Sequence, residues 1–176
     1  MQFTDIASMV EEKFGQQVLT KNLTALDPYI IIEANGWLQI AQWLRDDPRL
    51  QFDILNCITV VDYLETDATK VAKAGYEPHL EVVYHLSSFA HRHRFVVKIL
   101  LPRWKGNVVG ELPEVPSVTS VWPAANWHER EAYDLGGVQF TGHPELTRIL
   151  MADDWVGHPL RKDYEYPLEY QGIRCR

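Results

Sequence analysis

Cysteine is nearly missing from this chain: Cys57 and Cys175 are the only two among 176 residues. Two thiols so far apart make no disulfide framework, and no Cys-x-x-Cys pair or zinc-type spacing accompanies them, so a reducing compartment is expected. Positive charge is short as well. Lys and Arg number 17 against 24 Asp and Glu, a formal net charge of -7 and a pI near 5.4. Binding nucleic acid as a main task needs a basic face that displaces counterions from phosphates, and this balance argues against it. Long apolar runs are absent too. The two strongest, Tyr29 to Ile32 and Phe95 to Leu101, are short, and Lys98 interrupts the second; a bilayer span needs about 20 apolar residues. Any association with a membrane is expected to be indirect. The opening MQFTDIASMVEEKFGQQ has neither a basic segment nor a continuous apolar one, so it is not read as an export signal. Gly-rich phosphate loops, dinucleotide fingerprints and a Ser or Cys in a nucleophile-like setting are also lacking.

What is present is ordinary globular material: 46% hydrophobic and 23% charged residues, close to average usage. A chain of this length makes one domain and buries roughly 70% of its unfolded surface. Ile6, Met9, Val10 and Phe14 recur at helical spacing, which predicts a first helix over 5–14. Pro28 introduces the β-branched run Tyr29 to Ile32, read as a buried strand. Gly36 precedes a second helix carrying Leu38, Ile40, Ala41, Trp43 and Leu44, stopped by Pro48. The middle is strand-rich: Ile58 to Tyr63, Pro78 to Leu86 and His91 to Leu101, the last two close enough to pair as an antiparallel hairpin. Beyond Leu112 come prolines, one helical stretch and a tail without periodicity. Helices, then antiparallel strands, then a helix and an irregular tail predict an α+β fold, divided as a core over 1–112, a helix-and-loop region over 113–163 continuous with it, and an extended tail over 164–176 that docks on a partner.

The densest chemistry is His128-Glu129-Arg130-Glu131-Ala132-Tyr133-Asp134-Leu135-Gly136-Gly137. Drawn as a helix entered near Ser120 with Pro123 in its first turn, it places Val121, Ala124, Ala125, His128, Ala132 and Leu135 on one face. Arg130 and Asp134 then form an exposed i,i+4 pair worth about 0.2 to 0.5 kcal/mol, and the glycine pair supplies a left-handed stop. A metal reading would join His128 to Glu131, in the reverse order of the Glu-x-x-His of di-iron helices. His91 and His93, alternating on a strand, would offer two ligands on one face. Neither set has a third ligand fixed by spacing. Two Gly-His-Pro tripeptides, Gly142 to Pro144 and Gly157 to Pro159, read first as rigid turns. The tail's Tyr164, Tyr166, Leu168, Tyr170 and Ile173 lie on an irregular segment beside Arg and Lys, as interface anchors do.

One ordered set of residues goes further. Pro116-Ser117-Val118-Thr119, Trp122-Pro123-Ala124-Ala125-Asn126-Trp127, Glu129-Arg130-Glu131 with Asp134-Leu135, His143 with Arg148-Ile149-Leu150, and Gly157-His158-Pro159-Leu160-Arg161-Lys162-Asp163-Tyr164 resemble the 30 kDa subunit family of respiratory complex I, the bacterial NADH:quinone oxidoreductase. Weaker likeness reaches upstream to Asp62-Tyr63 and Val82 to Leu86. The family prefers two apolar residues after the aspartate, and here Gly136 follows Leu135.

The resemblance implies a non-catalytic subunit of the peripheral arm's quinone module. It would be peripheral to the cytoplasmic side of the bacterial inner membrane and packed on the 49 kDa-like subunit. No flavin, cluster or quinone is implied in this chain; FMN, iron-sulfur clusters and quinone belong to partner subunits. The residues expected at the partner interface are Trp127, Glu129, Arg130, Glu131, Asp134, His143, Arg148, Trp155, His158, Arg161, Lys162, Asp163 and Tyr164, with Trp127, Trp155 and Tyr164 as aromatic anchors. Replacing Arg161 by Glu is expected to lower assembly while leaving the domain folded. Two alternatives stand beside this reading: the equivalent subunit of a membrane-bound hydrogenase or ferredoxin-accepting complex, and an independent metal hydrolase using His91, His93, His128, His143 or His158.

Overall fold

A computed structural model describes residues 1–71 and 73–175. Helix α1 (Phe3–Phe14) leads to strands β1 (Val18–Asn22) and β2 (Tyr29–Ile32) and then to helix α2 (Trp37–Asp46). Strand β3 (Ile54–Tyr63) and the single turn α3 (Ala68–Val71) precede the hairpin of β4 (His79–Ser87) and β5 (Arg94–Leu101). The five strands form one sheet in the order β1-β2-β5-β4-β3. All neighbours are antiparallel except β2 and β5, which run parallel with Ile31 opposite Lys98.

Strand periodicity explains the layering. Phe95, Val97, Ile99 and Leu101 on β5 are buried, whereas Val96, Lys98 and Leu100 alternate to the other face, as period-2 geometry requires. Helices α1 and α2 carry the complementary stripes, Ile6, Ala7, Val10 and Phe14 from one and Trp37, Ile40, Ala41 and Leu44 from the other. These side chains and the inward residues of the sheet make one continuous core. The α+β expectation with a mainly antiparallel sheet is met.

Past the sheet the chain makes a short parallel ladder from β6 (Glu114–Pro116) and β7 (Gln139–Thr141), with helix α4 (Ala125–Glu131) between them. Three sequence expectations need correcting here. The helix does not begin near Ser120: Val118 to Ala124 form separate turns, in which the Val118 carbonyl accepts the N–H groups of both Val121 and Trp122. Nor does it stay α-helical, because Ala132–Gly136 widens into a π turn closed by Gly137 in the left-handed region (φ 68°, ψ 53°). A wider turn changes the angular spacing, so the face drawn at 100° per residue is wrong beyond Ala132. The buried residues are Ala125, Glu129, Ala132, Asp134 and Gly136, not His128 and Leu135. Finally, His91 and His93 do not lie on a strand. They flank Arg92 (φ 52°) in the β4–β5 turn, closed by bonds between Ser88 and the backbone of Arg92 and His93.

The tail is not extended either. Strands β8 (Glu169–Tyr170) and β9 (Ile173–Arg174) pair as a small hairpin across Gln171-Gly172, both with positive φ. That hairpin folds back onto the 153–155 loop, where the Tyr170 hydroxyl donates to Asp154 at 2.6 Å and its ring lies 4.8 Å from that of Trp155.

Candidate functional site

The segment over 142–168 has little secondary structure, so its backbone groups need partners from elsewhere. Charged side chains supply many of them. Asp134, fully buried on the π turn, accepts the N–H groups of Ile149, Leu150 and Met151 on Oδ2 at 2.8 to 3.0 Å and Arg148 on Oδ1 at 2.5 Å. Burial alone would push its carboxyl up, but those four donors outweigh it and hold the group below its ordinary value. The terminal nitrogens of Arg148 also donate to the carbonyls of Asp134, Trp155 and Gly157. His158 adds a ring bond to the Asp134 carbonyl at 3.0 Å. Burial, joined by the charges of Arg148 and Arg161, keeps His158 below its ordinary value and so neutral at pH 7.

A second knot ties the segment to the sheet. Arg103, just past β5, holds Asp62 of β3 with both terminal oxygens engaged at 2.7 and 2.8 Å, and reaches Asp163 at 2.7 Å. The Lys162 N–H also donates to Asp62. Arg161, almost fully buried, donates to the carbonyls of Gly136, Gly137 and Arg103, and its guanidinium lies 4.0 Å from the centre of the Trp104 ring. Burial and the neighbouring Arg103 charge lower its pKa to about 10, still far above neutrality. Gly136 and Gly137 are small for a reason visible here. A Cβ on Gly136 would stand 2.8 Å from Val60, and one on Gly137 would stand 2.7 Å from the His158 ring. At Gly136 this chain packs helix backbone directly on β3.

The predicted interface residues therefore divide. Glu129, Asp134 and Arg161 face inward and act within this chain, so the expectation that Arg161→Glu leaves the domain folded is replaced: that change would strand a carboxylate among three carbonyls. Arg130 does not pair with Asp134 but donates to the carbonyls of Thr147 and Arg148. His143 bonds the Asn126 carbonyl and receives the Glu145 N–H. Trp155 and Tyr164 are half-buried and joined to each other, indole N–H to hydroxyl, at 2.8 Å. Glu131 and Lys162 are exposed, and Asp163 keeps one side open while paired with Arg103. Trp127, at 71% exposure, is the anchor that does point outward.

Exposed apolar residues that the sequence did not flag accompany it on the same C-terminal part of the chain: Leu150, Val156 (85% exposed) and Leu160. Their signal was faint, single apolar residues in a polar, aperiodic context. His91 and His93 stack on each other with ring centres 5.4 Å apart, but His128, His143 and His158 do not join them. His91 and His93 bond the carbonyls of Pro48 and Leu50, and His143 and His158 serve the backbone elsewhere. Among the described residues no three His, Cys, Asp or Glu side chains are grouped as metal ligands would be.

The chain is thus a two-layer α+β domain with an irregular segment held by buried charges and with apolar residues turned outward from that segment. Comparison with known proteins makes the class particular. The family described as "Respiratory-chain NADH dehydrogenase, 30 Kd subunit" matches residues 30–170, and the chain belongs to that family. An NADH-quinone oxidoreductase subunit of Chlorobium phaeobacteroides is 40% identical over 94% of this chain and 90% of its own length. The subunits of the same name from Chloroherpeton thalassium (39%) and Roseiflexus castenholzii (50%) match over 94% and 72% of this chain. Of those two relatives the chain spans only 62% and 63% of the length. Among solved structures, a trypsin-resistant fragment (1-134) of Nqo5 superposes with a TM-score of 0.59 at 26% identity, covering 80% of this chain and 98% of the fragment. A chain of the archaeal membrane-bound sulfane sulfur reductase shares the fold, with a TM-score of 0.68 at 22% identity over 92% of this chain and 85% of that one.

Proposed function

We propose that this protein is a non-catalytic structural subunit of a proton-translocating NADH:quinone oxidoreductase. In this reading it sits in the quinone module of the peripheral arm and holds a 49 kDa-like subunit in position. Electron transfer depends on cofactors at fixed separations, and a rigid neighbour supplies that without reacting. FMN, iron-sulfur clusters and quinone would reside in the partner subunits, and the chain would meet the cytoplasmic side of the membrane only through them. No helix of the described residues is long and apolar enough to cross a membrane.

One observation carries this reading: five of the family's signature charges, Glu129, Arg130, Asp134, Arg148 and Arg161, bond this chain's own backbone, while Trp127, Leu150, Val156 and Leu160 are left in solvent. The charges then shape the docking face, and the apolar residues dock. Exposed aromatic and aliphatic side chains on a rigid support are the usual centre of a subunit interface. The test is a Trp127→Asp, Val156→Asp double variant expressed in place of the wild-type chain. Its circular dichroism and unfolding midpoint are expected to match wild type, while the yield of assembled complex from membranes falls at least tenfold. Normal assembly would refute the docking role of this face.

A further inference from the structure

Glu129 is the buried charge that none of the staples uses. It exposes no surface. Its Oε1 accepts the Val118 N–H at 2.7 Å, and the Ser117 hydroxyl bears on the same carboxyl, but Oε2 has no hydrogen-bond partner. Two other buried polar atoms in this part of the core are also without partners, the Tyr84 hydroxyl on β4 and the Trp37 indole nitrogen on α2. The two rings lie 4.5 Å apart, the indole bears on the hydroxyl, and the charge of Glu129 reaches it. Three elements thus meet at a polar spot where, among the described residues, no cationic side chain bonds the carboxyl.

The surrounding charges have all been claimed elsewhere. On α4 itself Arg130 turns out to the 147–148 carbonyls. From the end of α2, Arg45 reaches the carbonyls of Ser120 and Val121 and pairs with Asp46. From β3, on which α4 packs, Asp62 is bound by Arg103. The turn over 117–122 offers Ser117 and Thr119, which bond each other, and β4 offers Tyr84. A carboxylate buried here would have one good backbone donor and no counter-ion, an arrangement that disfavours the charged form.

We propose that Glu129 is a proton-sensitive latch: as a neutral acid it holds α4 and the 117–122 turn against β4 and α2, and losing that proton loosens this crossing. Helix α4 also carries Trp127 outward, so the loosening is transmitted to the proposed docking face. Asp134 provides the contrast. Both carboxyls are fully buried within five residues, yet Asp134 has an arginine and three N–H donors, and Glu129 has neither the arginine nor the three. Burial accordingly raises Glu129 to about 7, with Ser117 and the Val118 N–H pulling it back only in part.

A folded-state value near 7 lies above the ordinary 4.5, so this group's stabilisation is fully present below about pH 4.5 and is lost as pH rises through about 7. His93 and His158 are held below their ordinary values by burial. They contribute with the opposite sign nearby, which makes the comparison with a variant the readout.

The experiment is urea unfolding of the full chain between pH 4.5 and 7.5, for wild type and Glu129→Gln. The ratio of their unfolding constants, wild type over variant, is expected to rise by nearly tenfold per pH unit midway between the two values and about fortyfold between pH 5 and 7; a ratio independent of pH overturns the latch. Should the glutamine variant fail to fold, infrared spectroscopy of the wild-type chain decides. A protonated-carboxyl carbonyl band present at pH 6 and lost with a midpoint near 7 supports the latch. A band already gone at pH 6 overturns it.

Discussion

The sheet and the C-terminal segment are held together by different physics. Between Ile54 and Leu101 the backbone satisfies itself through ladders, and the side chains are free to make an apolar core. Between His143 and Tyr164 few ladder bonds exist, so side chains must serve as backbone partners: Asp134 for three N–H groups, and Arg148 and Arg130 for two carbonyls each, while Arg161 ties the segment to the carbonyls of Gly136, Gly137 and Arg103. Removing one atom from the core costs packing. Removing one charge from the segment orphans several backbone groups at once.

That difference can be broken experimentally, beginning with its largest consequence. Asp134→Ala leaves Arg148 and three N–H groups without their acceptor, and should cost about 3 to 5 kcal/mol, with proteolytic sensitivity appearing first in the 142–164 segment. Gly137→Ala is the next step down. A Cβ at φ 68° and 2.7 Å from the His158 ring should cost about 1 to 3 kcal/mol, read as a lowered urea midpoint without a change in slope. In the sheet, Ile99→Val removes one methylene from a fully buried site and should cost about 0.5 to 1.5 kcal/mol, with hydrogen exchange rising evenly through β4 and β5. Arg49→Ala, which removes the exposed partner of Asp47, should stay within about 1 kcal/mol.

The same contrast explains what could be read from the sequence. Helix α1 and the β4–β5 hairpin were legible because apolar periodicity is a local property, and Ile6, Val10 and Phe14 or Phe95, Val97 and Ile99 display it openly. Strand β1 was not, since Val-Leu-Thr-Lys-Asn at a sheet edge has neither alternation nor full burial. The family's signature was visible as residues but misread as geometry. Glu129 stands four residues after Ala125 and three before Ala132, on the stripe those alanines bury, and that spacing could have flagged it. Asp134 had no such signal, because the π turn that rotates it inward is invisible to a fixed 100° period. Arg161 could not be placed at all from its neighbours. Its acceptors at Gly136, Gly137 and Arg103 are 24 to 58 residues away in sequence. Gly136, read as a departure from the family pattern, fills a position where Val60 leaves no room for a side chain.

The proposed docking role rests on those polar contacts giving the C-terminal segment its shape. The most direct measurement is residue-resolved hydrogen exchange of the full chain, wild type against Asp134→Asn, a change that removes the charge while preserving the shape. Protection of the Ile149, Leu150 and Met151 amides should fall at least tenfold, while that of Leu80 to Leu86 in β4 stays unchanged. Unaltered protection at 149–151 would contradict the account, and so would an equal loss in both regions.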